Sequence, residues 1–505
     1  MPHLRKFAPL LLAPLILAAC GRHAPGGPED TRPLELRGLW VDAFGPGLKT
    51  PEEIDKLVAD ARKMNVNVLF AQIGRRGDCY CNNAAMPRTN DPAVPAGFDP
   101  LADLLGKAHA QGIQVHAWII TTALWNNDVV APPPGHAFLT HGTGATGRDF
   151  WLTVKADGTT RGGADWVMDP GHPNAAEYIK NMYVSVVKNY DVDGIQFDRV
   201  RYPDYNPVGG PNQWGYNPTA LDRYRAETGE TGTPAPDDAR WGDWRRQQVT
   251  NLARETALAV KAARPDVSVN AATITYGAGP ADEAAFLTSR PYAEVNQDWL
   301  TWVREGYLDV NVMMNYKRDF VADQALWFDQ WNTFAAGLRQ KYPGVQQVSG
   351  SAIYLNDQAS SVNQVLKTRA AGLSGWAGYS YRTPDRDVNE GKRTQAEVIP
   401  ELITKLSGEG GPFAQPARWN RPDPARLRAL GGQVSVTGGP LGGHTVRLLD
   451  LGGNELARTV TDGNGRYGFL RVPAAGVRVQ VDGVTTEVLS IPAGRVTQVS
   501  PLALP

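Results

Sequence analysis

The stretch Asp193-Gly194-Ile195-Gln196-Phe197-Asp198-Arg199-Val200-Arg201-Tyr202-Pro203 holds the residues best suited to chemistry. A short apolar run that ends in an acid places one carboxylate at the end of a strand. The arginines directly after it supply positive charge that favours the ionised form. An ionised carboxylate facing a protonated one across a bond is the equipment of glycoside hydrolysis, with the pair about 5–5.5 Å apart when configuration is retained. Asp198 is therefore the expected catalytic carboxylate; the alternative is a structural ion pair with Arg201. No second acid stands out as clearly. The apolar run Ser268-Val269-Asn270-Ala271-Ala272-Thr273-Ile274 carries none. Asp282 and Glu283 follow it in a loop, and Glu283 is the first choice for the partner. Asp319, Asp385, Asp78 and Asp42 are its rivals.

These residues need a scaffold, and from about residue 34 the chain alternates apolar runs with helical patterns, the mark of a parallel sheet with crossover helices. Strands are expected at 36–41, 66–73, 115–120, 194–197, 267–272, 310–314, 345–353 and 375–380. Helices are expected near 51–61, 99–111, 175–190, 298–305, 325–342 and 361–371, with a broken helical region over 219–263. Thr50 and Glu53 read as a capping box for the first of these. Eight such units over 34–410 predict an α/β fold, a (β/α)8 TIM barrel. No G-x-G-x-x-G follows the first strand, which weakens an open dinucleotide-binding sheet. Residues 124–170 break the rhythm and read as an insertion with a small hairpin near 151–158.

A barrel keeps its site at the carboxyl ends of its strands. The polar candidates there are Asp42; Gln72, Arg76 and Asp78; His116, Trp118 and Asn126; Asp169; Arg201 and Tyr202; Asn315, Tyr316 and Lys317; and Tyr381. His116 reads equally well as a packed barrel histidine. Arg75, Arg76 and Arg88 suit either a ligand carboxylate or Asp78. Trp125 and Trp214 are candidates for stacking on sugars.

At the amino end, Arg5 and Lys6 precede an apolar run that closes Leu17-Ala18-Ala19-Cys20-Gly21. This resembles a bacterial lipobox, so 1–20 is expected to be a lipoprotein signal peptide with Cys20 lipidated, and 21–33 a Gly/Pro-rich tether. Only Cys79 and Cys81 remain, a spacing read as too close for an easy disulfide. No metal-ligand spacing is found, so neither a metal nor another cofactor is expected, and a metal-dependent deacetylase is disfavoured. Lys+Arg is 51 against Asp+Glu 52, which offers nucleic acid no basic field. Prolines over 411–427 mark a linker to short strands with Gly-rich turns over 428–505, a small all-β sandwich.

Taken together, Gly38-Leu39-Trp40-Val41, Gln72 to Asp78, Pro87-Arg88-Thr89, Val115-His116-Ala117-Trp118, Met168 to Pro173, Asp193 to Pro203 and Met314 to Arg318 resemble the glycosyl-hydrolase-like 10 family. The likeness covers about 34–405. It implies a barrel similar to the α-amylase group, glycoside hydrolysis, and Asp198 in the nucleophile's position. The family includes a lipoprotein glycosidase acting on peptidoglycan strands stripped of peptides. The missing acid on the fifth strand departs from the amylase pattern and leaves the general acid open. Thr461 to Phe469 with Val472-Pro473 resembles a carboxypeptidase-regulatory-like sandwich. The expectation is a monomeric envelope glycosidase, lipid-anchored, facing the periplasm from the outer membrane if there are two membranes. Its partners would be a peptidoglycan-type polysaccharide and, through the anchor, a membrane. The alternatives are a non-catalytic glycan-binding lipoprotein and a structural lipoprotein whose β module docks another protein.

Overall fold

The structure, a computed structural model, describes residues 30–505. Cys20, the signal segment and residues 21–29 of the tether lie outside the described residues.

Eight parallel strands close into a barrel: β1 Leu36–Val41, β2 Val68–Gly74, β3 Gln114–Ile120, β4 Gly194–Asp198, β5 Ser268–Ile274, β6 Val310–Met314, β7 Gln346–Ala352 and β8 Gly375–Tyr379. β1 pairs with both β2 and β8, which completes the circle. The expected (β/α)8 barrel is borne out. Around it run α1 Pro51–Lys63, α2 Pro100–His109, α3 Pro173–Asn189, α4 Pro218–Thr228, α5 Ala239–Ala263, α6 Trp299–Arg304, α7 Ala322–Lys341, α8 Gln358–Ala370 and α9 Gln395–Ser407.

Strand alternation sorts the side chains. Leu39, Val41, Leu69 and Ala71 pack outward against the helices. Leu36, Trp40, Val68, Phe70, Trp118 and Val312 point inward and fill the barrel. The Trp40 indole spans this interior and donates to Gln196 Oε1 at 2.7 Å. Two glycines make room for these rings: a Cβ on Gly38 would lie 2.7 Å from Phe70, and one on Gly350 2.6 Å from Trp40. The interior is thus a packed core, and open space begins only above it, at the carboxyl ends. At the other end Trp419 packs onto the interior, and its carbonyl accepts from Gln114 Nε2 at 2.9 Å.

Three local expectations are corrected. Thr50 Oγ1 accepts from Glu53 N at 3.3 Å, but the Glu53 carboxylate turns to Gly47 N and Lys49 N, both 2.9 Å, leaving the box half made. The insertion's sheet is built from Ala123–Trp125, Arg161–Gly162 and Asp165–Val167, while Leu152 and Lys155 form only isolated bridges. Cys79 and Cys81 are disulfide-bonded: the backbone there holds their Cα atoms 5.0 Å apart, within disulfide reach.

Strands β9 Arg428–Val436, β10 Thr445–Leu449, β11 Glu455–Val460, β12 Arg466–Phe469 and β13 Gly476–Val481 belong to two sheets that share one core, around Leu430, Val446, Leu448, Tyr467 and Val479. This sandwich sits on α5. Arg254 reaches from that helix to Val460 O at 3.0 Å and to Thr459 Oγ1, and Arg466 pairs with Glu177 of α3.

Candidate active site

Asp198 is the last residue of β4, and the two-residue period that buries Gly194 and Gln196 inside the barrel brings its side chain to the inward face. Its Oδ2 accepts from Trp118 Nε1 at 2.9 Å and its Oδ1 from Arg199 N at 2.7 Å. Arg199 takes φ 50°, a left-handed conformation that a non-glycine residue adopts at a cost. Its carbonyl accepts from Thr122 Oγ1 at 2.8 Å and its guanidinium pairs with Asp165, which hold it there. Asp198 is 9% exposed. Burial pushes its pKa above the ordinary aspartate value, and the charges of Arg199 and Arg201 offset only part of that. The two arginines therefore do not dominate the carboxylate's ionisation as the sequence suggested.

Aromatic rings form the wall beside it. Tyr379, at the end of β8, lies 6.2 Å from Trp118, 6.2 Å from Trp40 and 5.6 Å from Tyr316, and Tyr354 is 5.8 Å away. Burial raises the Tyr316 and Tyr379 phenols well above their usual range, so both stay neutral donors. Below them, Gln72 Oε1 accepts from Ala43 N at 2.9 Å, while the Nε2 amides of Gln72 and Gln196 have no partner among the described residues.

A second acid stands on the same side. The loop after β4 carries Asp204, whose Oδ2 accepts from Tyr276 Oη at 2.9 Å and from Arg201 Nη2 at 3.3 Å. Burial raises its pKa, but Arg201 and the Tyr276 hydroxyl together hold it below the ordinary value. Tyr276 lies two residues past the end of β5. Asp165, from the insertion, bridges Arg76 (Nε–Oδ1 2.6 Å) and Arg199, so both cations are fixed at the rim. Lys317 Nζ crosses to Thr275 O at 2.7 Å; burial and the Arg290 charge bring its pKa down to about 7.

The sequence candidates divide accordingly. Asp198, Trp118, Arg201 and Tyr316 come together; Gln72, Arg76 and Lys317 adjoin them. Asp42 is at the end of β1, but Ser380 Oγ (2.9 Å), Arg382 Nε (2.9 Å) and Phe44 N (3.0 Å) already occupy it, and it ties β1 to β8. Glu283 is not in the cup. Its carboxylate accepts from Lys341 Nζ at 2.7 Å and Tyr342 Oη at 3.2 Å, past the carboxyl end of α7, because the chain after β5 descends along the outer wall. His116 lies inside the barrel, fully buried between Asn270 (2.7 Å) and Gln114 (3.3 Å), its pKa lowered to about 4 by desolvation.

Tyr202 Oη donates to Asp169 Oδ1 at 3.0 Å and both are fully buried, closed to any ligand. Asn315 turns outward to Phe328 O (3.0 Å) on α7, and Tyr381 outward to Asp60 (2.8 Å) on α1. Asp78 holds its own loop through Arg76 N at 3.0 Å, and Asn126 meets Arg161 through its backbone oxygen at 2.8 Å. Of the rival acids, Asp319 is held by Lys367 (3.1 Å) and Asn363 (2.8 Å), and Asp385 caps the turn Arg386–Asn389. Trp125 and Trp214 are buried, 4% and 1% exposed, and offer no stacking face. Sequence reasoning missed Asp165, Asp204, Tyr276 and the role of Tyr379. Only Tyr379 had a usable signal, since it continues the inward series Gly375, Ala377. Among the described residues no group of three or more His, Cys, Asp or Glu is placed to hold a metal ion.

Comparison with known proteins adds an independent line. The family described as Glycosyl hydrolase-like 10 matches residues 35–354. The chain is 25% identical over 329 residues to the glycosyl hydrolase YngK of Bacillus subtilis (strain 168), covering 60% of this chain and 56% of that protein. It is 26% identical over 298 residues to the glycosyl hydrolase DigH of Escherichia coli (strain K12), covering 54% and 57%. The chain thus spans little more than half the length of these relatives. Among solved structures, the catalytic domain of β-amylase from Paenibacillus polymyxa matches with a TM-score of 0.51 at 12% identity, over 73% of this chain and 98% of that one, a likeness of fold.

Proposed function

Because this chain belongs to the glycosyl hydrolase-like 10 family, we propose that it hydrolyses glycosidic bonds of a carboxylate-bearing, peptidoglycan-type wall polysaccharide with a pair of carboxyl groups. The observation that carries this reading is Asp198: a buried acid at the end of the fourth strand, aligned by an indole N–H and flanked by aromatic rings. The names of the two relatives, both glycosyl hydrolases, agree with it.

Asp204 is the partner. The fifth strand has no acid of its own, but Tyr276 just past that strand holds the Asp204 carboxylate against it. The β4 loop thereby supplies a carboxylate where the sequence left a gap. The two environments push the pKa values apart, upward for Asp198 and downward for Asp204. Such a split makes Asp198 the better proton donor and Asp204 the better carrier of negative charge. Asp198 then protonates the leaving glycosidic oxygen. Asp204 stabilises the positive charge that grows at the anomeric carbon and directs the incoming nucleophile.

The rim suits a polymer. Phe44, Tyr205 and Phe320, on the loops after β1, β4 and β6, are 47%, 52% and 53% exposed and offer apolar faces to sugar C–H groups. Arg76 and Arg199 share the single carboxylate of Asp165, which leaves one positive charge at the rim to attract a sugar-borne carboxylate. Export and lipidation at Cys20 belong to the same reading, with the outer membrane as the site in a two-membrane cell; Cys20→Ala is expected to release the protein from membranes, and retention would refute the anchor.

The test is to incubate the purified protein with peptide-free peptidoglycan strands and follow released fragments by mass. Wild type is expected to release them. Asp198→Asn and Asp204→Asn are each expected to lose about three orders of magnitude in rate. An active Asp204→Asn would remove Asp204 from the pair. An inactive wild type, across wall glycans and common glucans, would favour a non-catalytic glycan-binding lipoprotein.

A further inference from the structure

A large cleft that bears charge lies on the opposite face of the barrel from Asp198. It has a volume of about 890 Å3 and opens between the strand starts at Ser268, Val310 and Gln346, the linker, and the sandwich edge at Leu470–Pro473. This is within the size range of ligand sites. Lys261, Arg421, Arg426, Arg428 and Arg471 face it, against Asp309 and Asp423.

Three of the five cations have carboxylate partners. Lys261 pairs with Asp309 at 2.7 Å, Arg421 with Asp266 at 2.9 Å, and Arg426 with Asp423 at 3.6 Å. Arg428 and Arg471 have no such ion pair among the described residues. Arg428 Nη1 donates to Ile491 O at 2.7 Å, and Arg471 Nη2 donates to Gly344 O. The Arg471 guanidinium lies across Gly306 and Gly344, where a Cβ on either residue would overlap it, yet the side chain stays open to the cleft. Desolvation on the packed side lowers its pKa, with Asp309 opposing. Arg471 is exposed, so the N–H groups not committed to Gly344 face the cleft and are free to meet a ligand. An anion in the cleft would meet two guanidiniums that have only carbonyl partners, and a carboxylate matches their forked donors.

The floor is Trp419, half-buried where it plugs the barrel's base, with Pro343, Pro422 and Pro473 beside it. An indole and flat prolines receive the C–H faces of sugar rings. We propose that this basal cleft is a second, non-catalytic binding site for an acidic oligosaccharide, gripped by Arg428 and Arg471 and stacked on Trp419. It would keep a wall polymer attached to the protein independently of the cup, and it does not depend on Asp198 being catalytic.

Calorimetric titration of the full-length Asp198→Asn protein tests the proposal. The probes are a peptide-free peptidoglycan hexasaccharide, which carries carboxylates, and chitohexaose, which carries none. The hexasaccharide is expected to fill two sites and chitohexaose at most one. Arg428→Ala/Arg471→Ala is expected to weaken the basal site by at least about tenfold, to leave the melting temperature unchanged and, in an otherwise wild-type chain, to leave cleavage of the hexasaccharide intact. Arg428→Lys/Arg471→Lys should retain part of the binding. An isotherm unaffected by the double alanine variant would overturn the proposal, as would equal basal affinity for chitohexaose. A single site that the double variant abolishes would support the cleft and count against the cup instead.

Discussion

Each Asp198 oxygen accepts one N–H, from Trp118 or from Arg199, and both bonds favour the ionised form against the burial that opposes it. Removing the indole donor therefore raises the pKa further. Trp118→Phe keeps a ring in place without the N–H, and the alkaline limb of kcat/KM is expected to move up by about one pH unit. A limb that stays put would mean that another group titrates there. Lys317 makes a stability prediction. Its folded pKa, about 7, lies below the unfolded value, so the unfolded chain binds more protons between the two. Stability then rises with pH across that window. Lys317→Met is expected to raise the melting temperature most below pH 7, with the difference shrinking toward pH 10; a constant offset would contradict a depressed pKa. The readable part of the site was the part carried by strand alternation: Asp198, Trp118 and Tyr316. Asp165 and Asp204 act on partners 34 and 72 residues away, Arg199 and Tyr276, and no local pattern announces contacts of that span.

Elements were legible because hydrophobic period and punctuation are local. The sixth strand falls at 310–314 in both sequence and structure, and the break in the helical region after Thr228 falls where Gly229 ends α4. The failures lie where an element leaves the standard path. After β5 the chain does not enter a helix over the cup but runs down the outer wall, which carries Glu283 away. Beyond β8 the inward series stops at Tyr379, and Tyr381 turns out to Asp60. The element-scale prediction concerns the barrel layer that supports the site. Gly350 of β7 faces Trp40 of β1 with no space for a methyl group. Neither ring nor strand can yield without disturbing the Trp40–Gln196 bond across the interior. Gly350→Ala is expected to destabilise the protein by about 1–3 kcal/mol in chemical denaturation. An unchanged midpoint would show that both the indole and the β6 backbone at Met313, whose carbonyl oxygen would lie 2.5 Å from the new Cβ, have room to shift.

At the scale of the molecule the question is what makes barrel and sandwich one body. Arg254 is fully buried on α5, beside Glu255 (Nε–Oε1 2.8 Å), and its remaining donors reach Val460 O (3.0 Å), Thr459 Oγ1 and Arg466 O (3.3 Å) of the sandwich. One guanidinium thus neutralises a buried carboxylate and supplies hydrogen bonds across the interface. Burial already raises the Glu255 pKa, and Arg254 is the main force opposing it. Arg254→Ala would leave that carboxylate uncompensated, at a cost of about 3–5 kcal/mol. Glu255 would respond by taking up a proton. A folded-state pKa raised above the unfolded value contributes stability at low pH that is lost as pH rises through it. The deficit of the variant should therefore be larger at pH 8 than at pH 5. Scanning calorimetry should show the sandwich melting in a separate, earlier transition at the higher pH, while the barrel transition moves little. A variant that melts in one transition, with the same deficit at both pH values, would mean that the two modules are joined by apolar packing on α5 rather than through this arginine.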